Sequence, residues 1–540
     1  QYKNAADPNA PPVCLAPPVV LGSESYLHRI NVFVQPLCPD GSHPQEPNTP
    51  CQNHPSMIKG FALQLRSKSH LQTVLHQRQA LLNHSFVDLC FCEGDGNGED
   101  PCQMLCQVSI SEVENYRTAI PFVQMLYVDG TRSLWGRGVP VIATEAVTPA
   151  LIKDFYGMPS NALGTNSHNS QGVGEFSLES FDPADLHTFQ ELFERPVQAA
   201  TPIGVNNPAS PGGEGTLDIQ YIMAVSPGVA SSYWGTQGQG WILEYFAQLA
   251  GRERPPLVNS ISWGAAETEE PPSYMQRANE EAMKLALRGV SIIVSSGDNG
   301  VGGNLQADGC APFVPSFPAN LPYVTTLGAT MLTRSSTSVS TQSTMLGDFP
   351  VPHPQYGSTL GERVCQVEEG AVIESGGGFS TVFNRPSWQD AAVSAFLATP
   401  NAAPPADLLL FNQSGRAFPD LATLGHAYVI YQSSLQSVDG TSASAPVFAA
   451  MVAQWNEMLL NNGLPPLGFL NPLLYQLAAS NPAAFTDITV GSNNCGEGNY
   501  CCPHGFNAVP GWDAASGLGS PQFQVLEAAI FALKQQAAKA

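Results

Sequence analysis

The chain has 540 residues, 43% of them hydrophobic and only 12% charged, a globular composition that excludes a disordered protein and allows two to four domains, or one large α/β domain with a smaller companion. Its 45 acidic against 22 basic residues leave a formal net charge of −23, which argues against nucleic acid as a partner and leaves few cations to repel one another in an acidic compartment. There is no run of about 18 or more apolar residues, so the sequence offers no membrane span.

Residues 1–20 are rich in Pro and Ala and read as an extended arm, and Gln1 is expected to mark a processed start. Ile30–Val34 and Phe61–Leu65 alternate like strands, Leu71–Leu82 has helical spacing, and Phe122–Val128 alternates again before an Asp129-Gly130 turn. Residues 1–142 are therefore expected to form a small α+β domain, with Gly136–Thr148 as linker. Twelve cysteines and the sequons at Asn83 and Asn412 point to the secretory route, with glycosylation and disulfides, and hence to a secreted or lysosomal-type location. Seven cysteines precede residue 143 and five follow it. If all are paired, at least one disulfide joins the two regions; otherwise each region keeps a free thiol. Zinc is the rival use for Cys90-x-Cys92 and Cys102-x-x-x-Cys106.

From about residue 143 a different rhythm begins. Thr148 precedes a Pro-initiated helix, and apolar strands are expected at Gly172–Phe176, Ile222–Val225, Val258–Trp263 and Val290–Ser295. Helices alternating with such strands imply a mostly parallel sheet covered on both faces, an α/β fold over residues 143–540.

Three stretches in this region carry chemistry. In Gly213–Met223, Glu214 and Asp218 stand four apart, so a helix puts both carboxylates on one face, where their repulsion raises the apparent pKa and lets the pair hold one proton. The strand ending at Ser295 leads into Ser296-Gly297-Asp298-Asn299-Gly300, which delivers Asp298 to the carboxyl edge of the sheet. Gly440-Thr441-Ser442-Ala443-Ser444-Ala445-Pro446 runs into an apolar helical stretch, which sets Ser442 at a helix N-terminus, where N–H groups and the helix dipole favour negative charge on a substrate oxygen. The histidines between residue 200 and the serine, His353 and His426, lie in no recognisable catalytic motif.

Glu-x-x-x-Asp, Ser-Gly-Asp-x-Gly and Gly-Thr-Ser-Ala-Ser-x-Pro in that order resemble the sedolisin family of serine-carboxyl peptidases, most closely its lysosomal tripeptidyl-peptidase branch. Ser375–Ser387, Ala417–Asp420, Pro465–Pro472 and Pro510–Asp513 agree with that branch. The resemblance implies a subtilisin-like fold. It also implies Ser442 as nucleophile, Glu214 as general base, Asp218 as its support, and a protonated Asp298 as the oxyanion-hole acid. Ser262-Trp263-Gly264 and Ser375-Gly376-Gly377-Gly378 would be cleft walls that bind the peptide. One structural Ca²⁺ would be held by Asp487 and Asp513 with the backbone carbonyls of Ile488, Val509 and Gly511, an all-oxygen set suited to a hard cation. Residues 1–142 occupy the place of the family's inhibitory pro-domain, as in a zymogen, but their cysteine-rich loops and shorter length also fit an accessory domain. The expected function is acid peptide hydrolysis, releasing tripeptides from free N-termini. An acid endopeptidase, a Ser-His-Asp subtilase and a non-catalytic binding protein on this scaffold are the alternatives. Nothing in the sequence sets an oligomeric state.

Overall fold

The computed structural model describes residues 146–334 and 360–539 apart from 239 and 499, together with the strand segments Ile30–Phe33, Phe61–Leu63, Phe86–Phe91, Gln103–Ser109, Met125–Tyr127, Ser343–Leu346 and Phe349–Pro352. The chain divides into two compact units, residues 1–142 with 345–349, and the remainder. In the first, Ile30–Phe33, Phe86–Phe91 and Gln103–Ser109 form an antiparallel three-stranded sheet in that order, and Phe61–Leu63 pairs antiparallel with Met125–Tyr127. The helix expected at Leu71–Leu82 and the sequon at Asn83 lie outside the described residues.

The second unit is built on an eight-stranded sheet of β1 (Ser170–Glu175), β2 (Thr201–Gly204), β3 (Ala230–Gly235), β4 (Val258–Ile261), β5 (Ser291–Ser295), β6 (Thr325–Arg334), β7 (Leu360–Val364) and β8 (Leu421–Leu424). The spatial order is β7-β6-β5-β4-β1-β3-β2, with β8 also bonded to β6; every pairing is parallel except β6 with β7. Helices α1 (Pro149–Phe155), α2 (Pro183–Leu192), α3 (Gly213–Val225), α4 (Trp241–Gly251), α5 (Pro272–Leu287), α6 (Asp390–Ala398), α7 (Thr441–Asn461), α8 (Asn471–Ser480) and α9 (Phe523–Lys539) surround it. Ile292 and Val294 of β5 join Phe246 and Leu249 of α4 and Met275 and Leu285 of α5 in one buried cluster. Ile293, equally buried, is not part of that cluster; strand alternation turns it to the opposite face, where α7 runs along β1, β4, β5 and β6. Both faces are thus covered, as a parallel sheet requires.

Two expectations change here. Ile222–Val225 is not a strand but the last turn of α3. Every residue of α3 from Gly215 onward is buried, so its apolar run reflects a helix enclosed on all sides. The strand in this part of the chain is Ala230–Gly235, whose Ser-Ser-Tyr-Trp composition hides it. Thr148 does cap α1, its Oγ1 accepting a hydrogen bond from Leu151 N–H at 3.3 Å ahead of Pro149. Among the described cysteines, Cys310 pairs with Cys502 and Cys495 with Cys501, leaving Cys365 as a buried free thiol. The disulfides of the second unit therefore close within it.

Candidate active site

Because the strands are parallel, their carboxyl ends share one edge, and the chain there turns into loops or helix N-termini. Glu175 ends β1, Ser262 and Trp263 follow β4, and Asp298 follows β5; Glu214 is the second residue of α3 and Ser442 the second of α7. The last four of these segments, far apart in sequence, meet at a cleft of about 240 Å³ that Glu214, Asp298, Thr441 and Ser442 line together.

Ser442 is 8% exposed, and as the second helical residue its N–H has no intrahelical acceptor. Its Oγ makes a long 3.4 Å bond to the Ser262 carbonyl, and the Ser442 hydroxyl is close enough to the Glu214 carboxyl to favour its charged form. Glu214 Oε1 is buried without a partner, so an oxygen is free to take a proton. Burial and then the charge of Asp218 push the Glu214 carboxyl well above the usual range. Asp218 is wholly buried rather than a solvated helix start, and burial and the charge of Glu175 raise it likewise.

Ser262 ties this pair to Ser442. Its Oγ lies 2.9 and 2.7 Å from the two Asp218 oxygens and 3.2 Å from the Ser442 carbonyl. That carbonyl is free because Pro446, four residues on, has no N–H to donate back along the helix.

Asp298 is held from the other side. Thr441 donates to its Oδ1 from both backbone N–H (2.8 Å) and Oγ1 (2.7 Å), and Gly297 N–H in turn donates to Thr441 Oγ1 at 3.1 Å. Burial outweighs these bonds and raises the Asp298 carboxyl to about 6, so at acidic pH it carries a proton it can donate.

Ser262, Trp263 and Gly264 line the cleft as the sequence suggested. Ser375–Gly378 do not. Ser375 Oγ donates to Ala515 O and accepts from Ala329 N–H, Gly376 N–H donates to Gly297 O, and Gly377 packs against Ala514 O. The glycines let this segment sit directly behind the Asp298 loop, and Gly378 then opens a strand paired with Phe418.

Sequence reasoning missed two carboxylates. Glu175 is wholly buried, accepts a 2.9 Å bond from Trp263 Nε1, and is raised well above the usual range by burial and by the charge of Glu214. Glu179 accepts from Gly215 N–H at 3.1 Å, supplying the first turn of α3 with the acceptor that its Gly212 cap lacks. The available signal was an acid at the carboxyl end of a recognised strand, the same argument that found Asp298.

Among the described residues no histidine lines the cleft. His426 Nδ1 lies 2.8 Å from Asp439 Oδ2 beneath the nucleophile loop, and His353 lies outside the described residues. Burial opposes ionisation of Asp439, but the adjacent His426 ring and hydrogen bonds from Ala427 and Val372 outweigh it and hold the carboxyl below its usual range. His426 thus lies against Asp439 and outside the cleft lining.

The residues expected to hold calcium come together near the C-terminus. Gly511 N–H donates to Asp487 Oδ2 at 3.0 Å, and Asp513 Oδ2 accepts from Val509 N–H at 3.2 Å. The carbonyls of Ile488, Val509 and Gly511 accept no hydrogen bond among the described residues. Asp513 is wholly buried and pushed by burial to about 7, the cost of a carboxylate that a divalent cation would offset. This donor set fits Ca²⁺. At the second sequon, Asn412 Nδ2 donates to Ser380 O at 3.0 Å while Ser414 Oγ donates to Asn412 Oδ1.

A parallel sheet with a helix-borne serine and buried carboxylates at its carboxyl edge is the arrangement of a subtilisin-like hydrolase. A model described as the Subtilase family matches residues 200–467, a span that contains all four expected catalytic residues. Physarolisin of Physarum polycephalum is 36% identical over 405 residues, 71% of this chain and 68% of that protein. Tripeptidyl-peptidase 1 is 35% identical over 387 residues in Dictyostelium discoideum and 35% over 391 in Homo sapiens, each match covering 70% of this chain and 58% and 63% of those proteins. The chain thus spans roughly two thirds or less of the length of these relatives. Among solved structures, Pseudomonas sedolisin, a serine-carboxyl proteinase complexed with two molecules of pseudo-iodotyrostatin, has the same fold, with TM-score 0.54 and 22% identity over 72% of this chain and 99% of that one. The chain belongs to the sedolisin family of serine-carboxyl peptidases, near its tripeptidyl-peptidase 1 branch.

Proposed function

We propose that this chain hydrolyses peptide bonds in acid, with Ser442 as nucleophile, Glu214 as general base, Asp218 as the group that shares and steadies its proton, and Asp298 as oxyanion-hole acid. Ser442 Oγ attacks the scissile carbonyl carbon as its proton moves to Glu214. The new oxyanion accepts hydrogen bonds from the Asp298 carboxyl and the Ser442 N–H. Collapse expels the amine, which takes the proton from Glu214, and water then cleaves the acyl-enzyme through the same groups in reverse. The observation that carries this reading is the shared cleft of Ser442, Glu214 and Asp298, with the Asp298 carboxyl biased toward its protonated form.

The test is hydrolysis of an unblocked peptide at ~pH 4. Ser442→Ala and Glu214→Gln are each expected to lose at least about 10³-fold in kcat, and histidine modification to change little. Similarity to tripeptidyl-peptidase 1 supports release of tripeptides from free N-termini; activity surviving N-acetylation of the same peptide would assign an endopeptidase instead.

A Ca²⁺ held by Asp487, Asp513 and the carbonyls of Ile488, Val509 and Gly511 belongs to the same reading, with a structural role that enters no catalytic step. The sequons and disulfides support passage through the secretory route to a secreted or lysosomal-type location. Among the described residues no helix is long and apolar enough to cross a membrane.

A further inference from the structure

Glu214 and Asp298 are not the only carboxylates lining the cleft. A third, Glu497, comes from the C-terminal part of the chain, and among the described lining residues there is no Lys, Arg or His. The reaction consumes the first two; Glu497 has no part in it and forms no ion pair among the described residues.

Its position is built rather than accidental. Glu497 lies on the hairpin closed by the Cys495–Cys501 disulfide, and the neighbouring Cys502 is bonded to Cys310, beyond the Asp298 loop. Glu497 N–H donates to Asn299 Oδ1 at 3.0 Å, and the Tyr500 hydroxyl donates to Asn299 O at 2.8 Å. Gly300 admits the hairpin: a Cβ there would meet the carbonyl oxygens of Asn493 and Cys495 at 2.2 and 2.4 Å. The residue after Asp298 and the residues flanking Glu497 are thus bonded to one another, which fixes the Glu497 backbone against the oxyanion-hole loop.

We propose that Glu497 is a specificity-determining residue whose carboxylate receives a cationic group of the bound peptide, either a Lys or Arg side chain or the free α-ammonium. The remaining lining side chains, such as Asn304, Ser316 and Trp263, are uncharged, so they can shape the cleft but cannot discriminate by charge. A carboxylate with no ion-pair partner among the described residues, lining such a cleft, attracts a cation and disfavours an anion at the same subsite. Partial burial raises the Glu497 carboxyl, and Asp298 and Tyr500 are titratable groups beside it. The effect is therefore best read at ~pH 5.5, toward the upper end of the working range, where Glu497 is more fully ionised and Asp298 still holds its proton.

The inference rests on the peptidase reading, and the two can fail separately. The full chain is given a neutral peptide, copies with Lys substituted at one position at a time, and N-acetylated forms of each, and kcat/KM is measured from product masses. Wild type is expected to prefer one cationic form by about 10-fold. A preference tied to one Lys position identifies a side-chain subsite; one abolished by acetylation identifies the α-ammonium. In Glu497→Gln the ratio of cationic to neutral kcat/KM falls to about one, whatever the absolute rate, and Glu497→Asp restores part of it. As a measurement free of turnover, the preferred peptide should bind Ser442→Ala about 10-fold more tightly than Ser442→Ala/Glu497→Gln in calorimetry. Equal ratios in wild type and Glu497→Gln, or no preference in wild type, overturn the proposal while leaving the peptidase reading intact. Absence of any cleavage by wild type overturns both.

Discussion

The acid side chains at the cleft divide by what holds them. Asp298 is raised to about 6 by burial despite two bonds from Thr441, so its donor form is present below that pH and lost above it. Activity is accordingly expected to fall as pH rises through about 6. Asp298→Asn keeps an N–H donor that does not titrate; its kcat should drop by about 10²-fold, and the alkaline fall attributed to Asp298 should disappear from its pH profile. Ser262 presents a different case, because one hydroxyl proton serves both Asp218 and the carbonyl that Pro446 leaves free. Ser262→Ala strands a buried acid and a buried carbonyl at once. A loss of about 2 kcal/mol in stability, with kcat down by about 10- to 100-fold, is expected from thermal unfolding and steady-state rates.

At the level of whole elements, α3 and α7 each present a residue of the proposed catalytic set in their first turn, and neither can shift without moving it. Gly215 shows how closely α3 is fitted: a Cβ there would lie 2.4 Å from the Tyr233 hydroxyl. Helix propensity alone would make Gly215→Ala stabilising by about 1 kcal/mol. Overpacking against Tyr233 is expected to reverse the sign, destabilising by about 1–3 kcal/mol and lowering kcat by displacing Glu214, which differential scanning calorimetry and kinetics would register. Much of this arrangement was legible in the chain. Ser442 at a helix start, Asp298 after a buried strand, and Glu214 with Asp218 on one helix all follow from local pattern. The rest depends on tertiary enclosure. A helix buried all round reads as a strand at Ile222–Val225, the glycines of Ser375–Gly378 read equally as cleft or packing, and the bond from Trp263 that fixes Glu175 forms only when β1 and β4 lie side by side.

For the molecule as a whole, buried acids set the pH dependence of stability. Asp298 and Glu374, raised to about 6 and about 7 by burial, bind protons more tightly folded than unfolded. The stability they give is present below the unfolded carboxylate range and lost as pH rises through those values. Asp439 and Glu457, held below the usual range, act oppositely and lose their contribution only at lower pH. A melting temperature several degrees higher at ~pH 5 than at ~pH 7.5 is expected, with a shallower slope in Glu374→Gln. The proposed Ca²⁺ site at the Asp487 and Asp513 loops predicts that chelation lowers the melting temperature by several degrees at fixed pH and that added Ca²⁺ restores it. Finally, the unpaired thiol of Cys365 is enclosed, and burial and the nearby acids Asp439, Asp298 and Glu374 keep it protonated and so a poor nucleophile. An alkylating reagent can reach it only when the domain opens, so mass mapping of its labelling over time turns this one sulfur into an internal clock for unfolding beside the catalytic loop.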